Sequence, residues 1–67
     1  MEVEINGKPI TVPQDCATLG QLISQEGFGA PGTAVAVANR VVPRAQWDAT
    51  PLAEGMKITV IRAVCGG

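Results

Sequence analysis

Apolar and polar residues alternate along the first part of the chain, on both sides of Asn6-Gly7. A period of two is typical of a strand with one buried face. Asn-Gly is the strongest two-residue hairpin signal, because both residues accept the positive φ that such a turn requires. The pattern therefore predicts two antiparallel strands, over residues 2–6 and 9–13.

The apolar spacing changes to that of a helix after position 18. Thr18 and Gln21 have the spacing of a capping box, and Gly27 stands where a left-handed C-terminal cap belongs. Three apolar residues lie at i, i+3 and i+4: Leu19, Leu22 and Ile23. We predict a short helix from Leu19 to Glu26, followed by a loop rich in Gly and Pro up to Thr33.

Alternation returns at Thr33 and predicts three more strands. Valines at 35 and 37 alternate with alanines at 34, 36 and 38, and a turn near Asn39-Arg40 leads into Val41-Val42. The segment between Pro43 and Pro51 suits a helical turn that folds Trp47 onto the sheet edge. A turn at Glu54-Gly55 then precedes a final strand over residues 56–62.

The predicted order β-β-α-β-β-β indicates an α+β protein of the β-grasp, or ubiquitin-like, class. We expect a mixed sheet of four to five strands with one main helix on one face. Residues 1–62 would form this domain and residues 63–67 a flexible tail. In this arrangement the last strand runs parallel to the first, so the tail leaves near Asn6-Gly7 and Cys65 lies far from Cys16.

Composition narrows the function classes. The 67 residues are 46% hydrophobic and 16% charged, with a net charge of −1, which offers little attraction to nucleic acid or anionic lipid. No apolar run could span a bilayer and no signal-peptide pattern opens the chain, so we expect a cytoplasmic protein. With two cysteines and no histidine, we expect reduced thiols, no metal site and no catalytic residues.

The chain ends in Gly66-Gly67, and a tail without Cβ atoms can enter a channel too narrow for side chains. Its carboxylate is a poor electrophile until ATP converts it to an acyl-adenylate. These features favour a substrate of another enzyme over an enzyme.

Four stretches of the chain form a recognisable set: the opening "INGK", the spacing N-x-x-V-P-R-x-x-W over residues 39–47, the strand "EGMKITV" and Gly66-Gly67. In these stretches the sequence resembles the ThiS family of sulfur carriers in thiamine biosynthesis, ubiquitin-like proteins that end in Gly-Gly. The resemblance implies that an E1-like adenylating enzyme of the ThiF type activates Gly67 with ATP. A persulfide donor of the cysteine desulfurase type would then supply sulfur, and the thiocarboxylate would serve a thiazole synthase of the ThiG type. No cofactor would be bound by the carrier itself.

Two further sets of residues are predicted to contact these partners. Val64, Cys65 and Gly66 would be recognised as part of the tail, and we interpret Cys65 as a small, passive spacer. A partner-docking face is predicted on the side of the sheet opposite the helix, with Ile61 near its centre. Its members would be Ile61, Thr59, Ala36, Ala38 and Arg62.

Other functions remain open from the sequence. One alternative is a sulfur carrier like the small subunit of molybdopterin synthase, and another is a ubiquitin-like modifier that forms isopeptide bonds. A third is an interaction module of the same fold with an inert tail. The short length and the segment "VPRAQW" favour the thiamine branch.

Overall fold

The computed structural model describes residues 1–29 and 31–62. Within these residues it has five strands, one α-helix and one 3-10 helix: β1 (Glu2–Ile5), β2 (Lys8–Thr11), α1 (Leu19–Gln25), β3 (Thr33–Val37), β4 (Arg40–Val42), the 3-10 helix (Arg44–Ala49) and β5 (Lys57–Arg62). The predicted element order is confirmed. Three predicted strands, over residues 2–6, 9–13 and 56–62, differ from the observed bounds by one or two residues at an end.

The strands form one mixed sheet in the order β2-β1-β5-β3-β4. β5 runs parallel to β1, with Glu4 opposite Lys57 and Ile5 opposite Ile58. On its other side β5 pairs antiparallel with β3, and each outer strand joins its neighbour through a hairpin. The parallel central pair with one helix against the sheet confirms the predicted β-grasp class.

The capping box predicted for α1 is present. The backbone N–H of Gln21 donates to Thr18 Oγ1 at 3.3 Å, and Gln21 Oε1 accepts from the backbone N–H groups of Ala17 and Thr18. Gly27 follows the helix with a φ of 78°, as the left-handed cap requires. Within the described residues, no helix is long and apolar enough to cross a bilayer.

The core lies between the sheet and the layer formed by α1 and the 3-10 helix. The three apolar positions of α1, Leu19, Leu22 and Ile23, are fully buried. They join side chains from the inner face of the sheet, including Val3, Ile5, Val35 and Ile58. The apolar side chains that alternate along the strands and those spaced i, i+3 and i+4 on the helix therefore pack into a single core.

Trp47 ties the 3-10 helix to the sheet. Its side chain is only 5% exposed, and its indole Nε1–H donates to the carbonyl of Val42 at 2.9 Å. The guanidinium of Arg44 lies over the indole ring, 4.5 Å from its centroid, and also donates to the carbonyl of Gly29 at 3.0 Å. Arg44 thus braces this turn, and Trp47 is a core residue.

Replacing Trp47 is expected to lower the free energy of unfolding. Trp47→Ala should cost about 3–5 kcal/mol, because a large buried side chain leaves a cavity. Trp47→Phe should cost about 1–3 kcal/mol, since it removes less volume but leaves the Val42 carbonyl without its donor. Urea denaturation measures both, and Gln46→Ala, at an exposed neighbouring position, should change stability by less than about 0.5 kcal/mol. A Trp47→Phe variant as stable as the parent would contradict this assignment.

The second hairpin turns one residue earlier than the alternation predicts. Val37 lies opposite Arg40, so the turn is Ala38-Asn39, with φ values of 50° and 67°. A two-residue turn of this kind needs positive φ at both central positions, which Asn accepts more readily than Ala. The pairing of Val35 with Val42 sets this register, and Ala38 takes its strained backbone as a consequence. The turn predicted near Asn39-Arg40 is therefore present, but its predicted position is one residue late.

Candidate functional site

The residues predicted to carry and present the sulfur lie outside the described part of the chain. These are Gly67, Gly66, Cys65 and Val64, within the predicted tail of residues 63–67. The strand that leads to them is described, and it ends at Arg62. The candidate site therefore consists of the end of β5 and the sheet surface beside it.

The end of β5 lies against the tip of the first hairpin, as predicted. The backbone N–H of Asn6 donates to the carbonyl of Ile58 at 2.9 Å. The side chain of Asn6 then makes two bonds to Val60: its Oδ1 accepts from the Val60 N–H at 2.8 Å, and its Nδ2 donates to the Val60 carbonyl at 3.3 Å. Asn6 therefore holds β5 two residues before the strand ends.

Pairing across the sheet determines which side chains face away from α1. Ile5 and Ile58 lie opposite each other and are buried in the core, so alternate positions point to the other face of the sheet. The register of β3 with β4 and with β5 then defines the apolar part of that face. We call this set the open-face patch: Ala34, Ala36, Val41, Thr59 and Ile61.

The open-face patch exposes large apolar side chains. Val41 is 71% exposed and Ile61 is 55% exposed. Ala36 lies between Val41 and Thr59 in the register and is only 9% exposed. Exposed apolar groups that adjoin one another are a feature of protein-binding surfaces, so the patch is a suitable place for a partner to dock.

Polar residues border the open-face patch on the β1 side. Glu4 lies opposite Lys57 across the parallel pair, and both share the parity of Thr59 and Ile61. Glu2 has the same parity at the start of β1. An apolar centre with a charged border is the usual composition of a protein interface.

Two residues predicted for the docking face lie elsewhere. Ala38 belongs to the second hairpin turn and not to a strand face. Arg62 lies opposite Thr33 and has the parity of Ile58, which directs it to the helix side of the sheet. Ile61, Thr59 and Ala36 do share the open face, although Ala36 offers little accessible surface.

Sequence reasoning overlooked Val41, a member of the open-face patch that is 71% exposed. The two adjacent valines, Val41 and Val42, carry the necessary signal, since neighbours in a strand point to opposite faces. Val42 turns inward and packs on the core, which leaves Val41 outward. Deciding between them requires the register with β3, and that register depends on the hairpin turn that was misplaced.

Within the part of the chain that the structure describes, the remaining reactive groups do not form a second site. The thiol of Cys16 is 8% exposed and lies 2.8 Å from Gln25 Oε1, to which it donates. It is a packed side chain and not an exposed nucleophile. Among residues 1–29 and 31–62, no three Cys, Asp or Glu side chains come together in a way that could hold a metal ion.

Comparison with known proteins agrees with this geometry. A model of the ThiS family matches residues 2–67. The chain belongs to the ThiS family. This family match includes both the open-face patch and the terminal Gly66-Gly67. No curated protein sequence matches the chain.

Two solved structures of a ThiS protein resemble this family member over its whole length. The crystal structure of the thiamine biosynthesis protein ThiS from Geobacter metallireducens superposes with a TM-score of 0.82 at 27% identity, covering 100% of each chain. The solution structure of a thiamine biosynthesis protein from the same organism has a TM-score of 0.77 at 27% identity, covering 100% of this chain and 88% of the other. Both solved structures thus have the same fold as this chain.

Proposed function

We propose that this protein is a sulfur carrier of thiamine biosynthesis and that Gly67 is the residue that carries the sulfur. The observation that supports this most strongly is the family match, which continues through the terminal Gly66-Gly67. The similar ThiS protein from Geobacter metallireducens is covered over 100% of its length. In this function the protein is a co-substrate and not an enzyme.

The first chemical step is activation of the Gly67 carboxylate by an E1-like enzyme of the ThiF type. A carboxylate oxygen attacks the α-phosphorus of ATP, and the bond between that phosphorus and pyrophosphate breaks. The acyl-adenylate that forms has a good leaving group, and its acyl group no longer has the negative charge of the carboxylate oxygens. ATP is consumed by the activating enzyme, and the carrier supplies only its terminus.

The second step replaces oxygen by sulfur. The terminal sulfur of a persulfide on a cysteine desulfurase type donor attacks the acyl carbon, and AMP leaves with the electrons of the broken bond. A thiol of the donor system then cleaves the sulfur–sulfur bond and is itself oxidised to a disulfide. The Gly67 thiocarboxylate that remains delivers its sulfur to a thiazole synthase of the ThiG type.

The folded domain gives both partners a surface to recognise. Val41 and Ile61 present apolar side chains on the open-face patch, and the same face continues along β5 toward the residues that precede the tail. A partner that docks there lies beside the origin of the tail. Docking and tail entry can therefore occur together, which raises the effective concentration of Gly67 at the reacting site.

Mass spectrometry of the carrier tests this proposal. The protein is incubated with ATP, a ThiF-type enzyme and a persulfide donor, and is then fragmented to locate any mass change. Localisation is necessary because exchange of oxygen for sulfur nearly coincides in mass with one oxidation of a Met or Cys side chain. We expect the change on Gly67, and only when both ATP and the activating enzyme are present. An unmodified Gly67 under these conditions would contradict the carrier function.

A further inference from the structure

The side chain of Asn6 substitutes for a piece of β-strand. Two backbone hydrogen bonds join β1 and the turn after it to the β5 segment. The Glu4 N–H donates to the carbonyl of Met56, just before β5, and the Asn6 N–H donates to the carbonyl of Ile58. The chain then turns away at Gly7, yet the same side of β5 is bonded once more, by the Asn6 carboxamide at Val60. Hydrogen bonding on this side of β5 thus extends to Val60, two residues beyond Ile58, which is the last β5 residue paired with β1.

Asparagine combines the two properties that this position requires. Its backbone has a φ of 52° in the hairpin turn, a conformation that Asn adopts more readily than most other residues. Its carboxamide has both a donor and an acceptor, so it can bond the N–H and the carbonyl of one residue. Aspartate retains the acceptor but lacks the donor, and glycine has neither.

This contact acts close to the residues that carry the proposed chemistry. β3 pairs with β5 as far as Arg62, and Asn6 secures the opposite side of β5 as far as Val60. Five residues follow Arg62 up to Gly67, which bounds their extended reach at about 16–18 Å. That length is measured from the end of β5, which Asn6 helps to hold in place from the β1 side.

We propose that Asn6 is a positioning residue for the sulfur-loading reaction, which holds the end of β5 so that Gly67 reaches the adenylating site from a defined origin. This rests on the function proposed above. Asn6 takes no part in the chemistry and is not on the open-face patch. Its loss should therefore reduce the rate within the bound complex and leave the affinity for the partner unchanged.

Asn6→Gly tests the proposal, and Asn39→Gly is its matched control. Both residues occupy a two-residue hairpin turn with positive φ, so glycine suits either backbone. Among the side-chain hydrogen bonds of the described residues, those at β5 involve Asn6 and not Asn39. The two variants therefore make the same chemical change in the same kind of turn, and only one removes the contact with β5.

The readouts are ATP–pyrophosphate exchange with a ThiF-type enzyme and the Kd of each carrier for that enzyme. For Asn6→Gly we expect kcat at saturating carrier to fall about tenfold, as for a misplaced reacting group, with Kd within about twofold of the parent. Asn39→Gly should match the parent in both. Hydrogen exchange should be faster at the Val60 amide in Asn6→Gly alone, because that N–H loses its acceptor.

Each alternative outcome has a distinct meaning. Unchanged kcat in Asn6→Gly, or a weaker Kd with unchanged kcat, would overturn the positioning role and leave the carrier function standing. Absence of exchange with the parent protein itself would overturn both proposals. If Asn6→Gly does not fold, Asn6→Asp provides the same test, because it retains the acceptor for the Val60 N–H and loses the donor to the Val60 carbonyl. Its kcat should then lie between the parent value and about one tenth of that value.

Discussion

Deletion of Gly67 is expected to abolish sulfur loading and to leave the folded domain stable. The shortened chain would present its carboxylate one residue early, about 3.3–3.6 Å from the reacting position. A misplacement of 1 Å can cost a hundredfold in rate, so adenylate formation should fall by more than about a hundredfold. Among the described residues the buried core cluster extends from Val3 to Ile58, so thermal unfolding should be nearly unchanged.

Cys65→Ala is the matched control for that deletion. It alters the same segment but retains the position of the terminal carboxylate. From the sequence we interpret Cys65 as a passive spacer. This variant should therefore be loaded with sulfur at the parent's rate. ATP–pyrophosphate exchange and the thiocarboxylate yield measure both variants. Normal loading of the protein without Gly67 would contradict the assignment of the carrier terminus.

Ile61→Asp is expected to weaken binding to both the activating enzyme and the thiazole synthase. Full burial of an exposed isoleucine side chain contributes about 1.5–3 kcal/mol, and Ile61 has about half of its surface left to bury, so its share is about 0.8–1.7 kcal/mol. An unpaired carboxylate in the same interface adds a desolvation cost of about 1–3 kcal/mol. We therefore expect each Kd to rise by about tenfold to a hundredfold. Because Ile61 is 55% exposed, the substitution should cost the free protein no more than about 1 kcal/mol. Val41→Asp should behave in the same way, since Val41 belongs to the same patch.

Ala45→Asp provides the comparison for these two variants. It adds the same charge at an exposed residue of the 3-10 helix, on the opposite side of the sheet. Its Kd for both partners should stay at the parent value, as measured by titration calorimetry. If Ile61→Asp folds and binds both enzymes with full affinity, the open-face patch is not their docking surface.

Much of the fold follows from local signals in the chain. Asn6-Gly7 forms the predicted turn because the two residues themselves accept the necessary backbone conformation. Thr18 and Gln21 form the predicted capping box because their side chains reach backbone groups within the same turn. These interactions join residues at most a few positions apart, so their pattern can be recognised without knowledge of the tertiary structure.

The membership of the open-face patch was predicted less well, because it depends on register. Placing the second hairpin turn one residue late put Ala38 on a strand face and left Val41 unconsidered. In a strand, a shift of one residue reverses the face of every side chain. The charge of Arg62 does not indicate its face, and only its pairing with Thr33 reveals that it has the parity of the inner face.

The sequence by itself determined the order of the elements, the helix with its caps and the first hairpin. The tertiary structure decided the strand register, the composition of the open-face patch and the contact between Asn6 and Val60. That contact joins residues 54 positions apart, and nothing in the local pattern around either residue indicates the other. Local propensities act between residues a few positions apart. Which side chains contact one another across a sheet depends instead on how all the strands pack together.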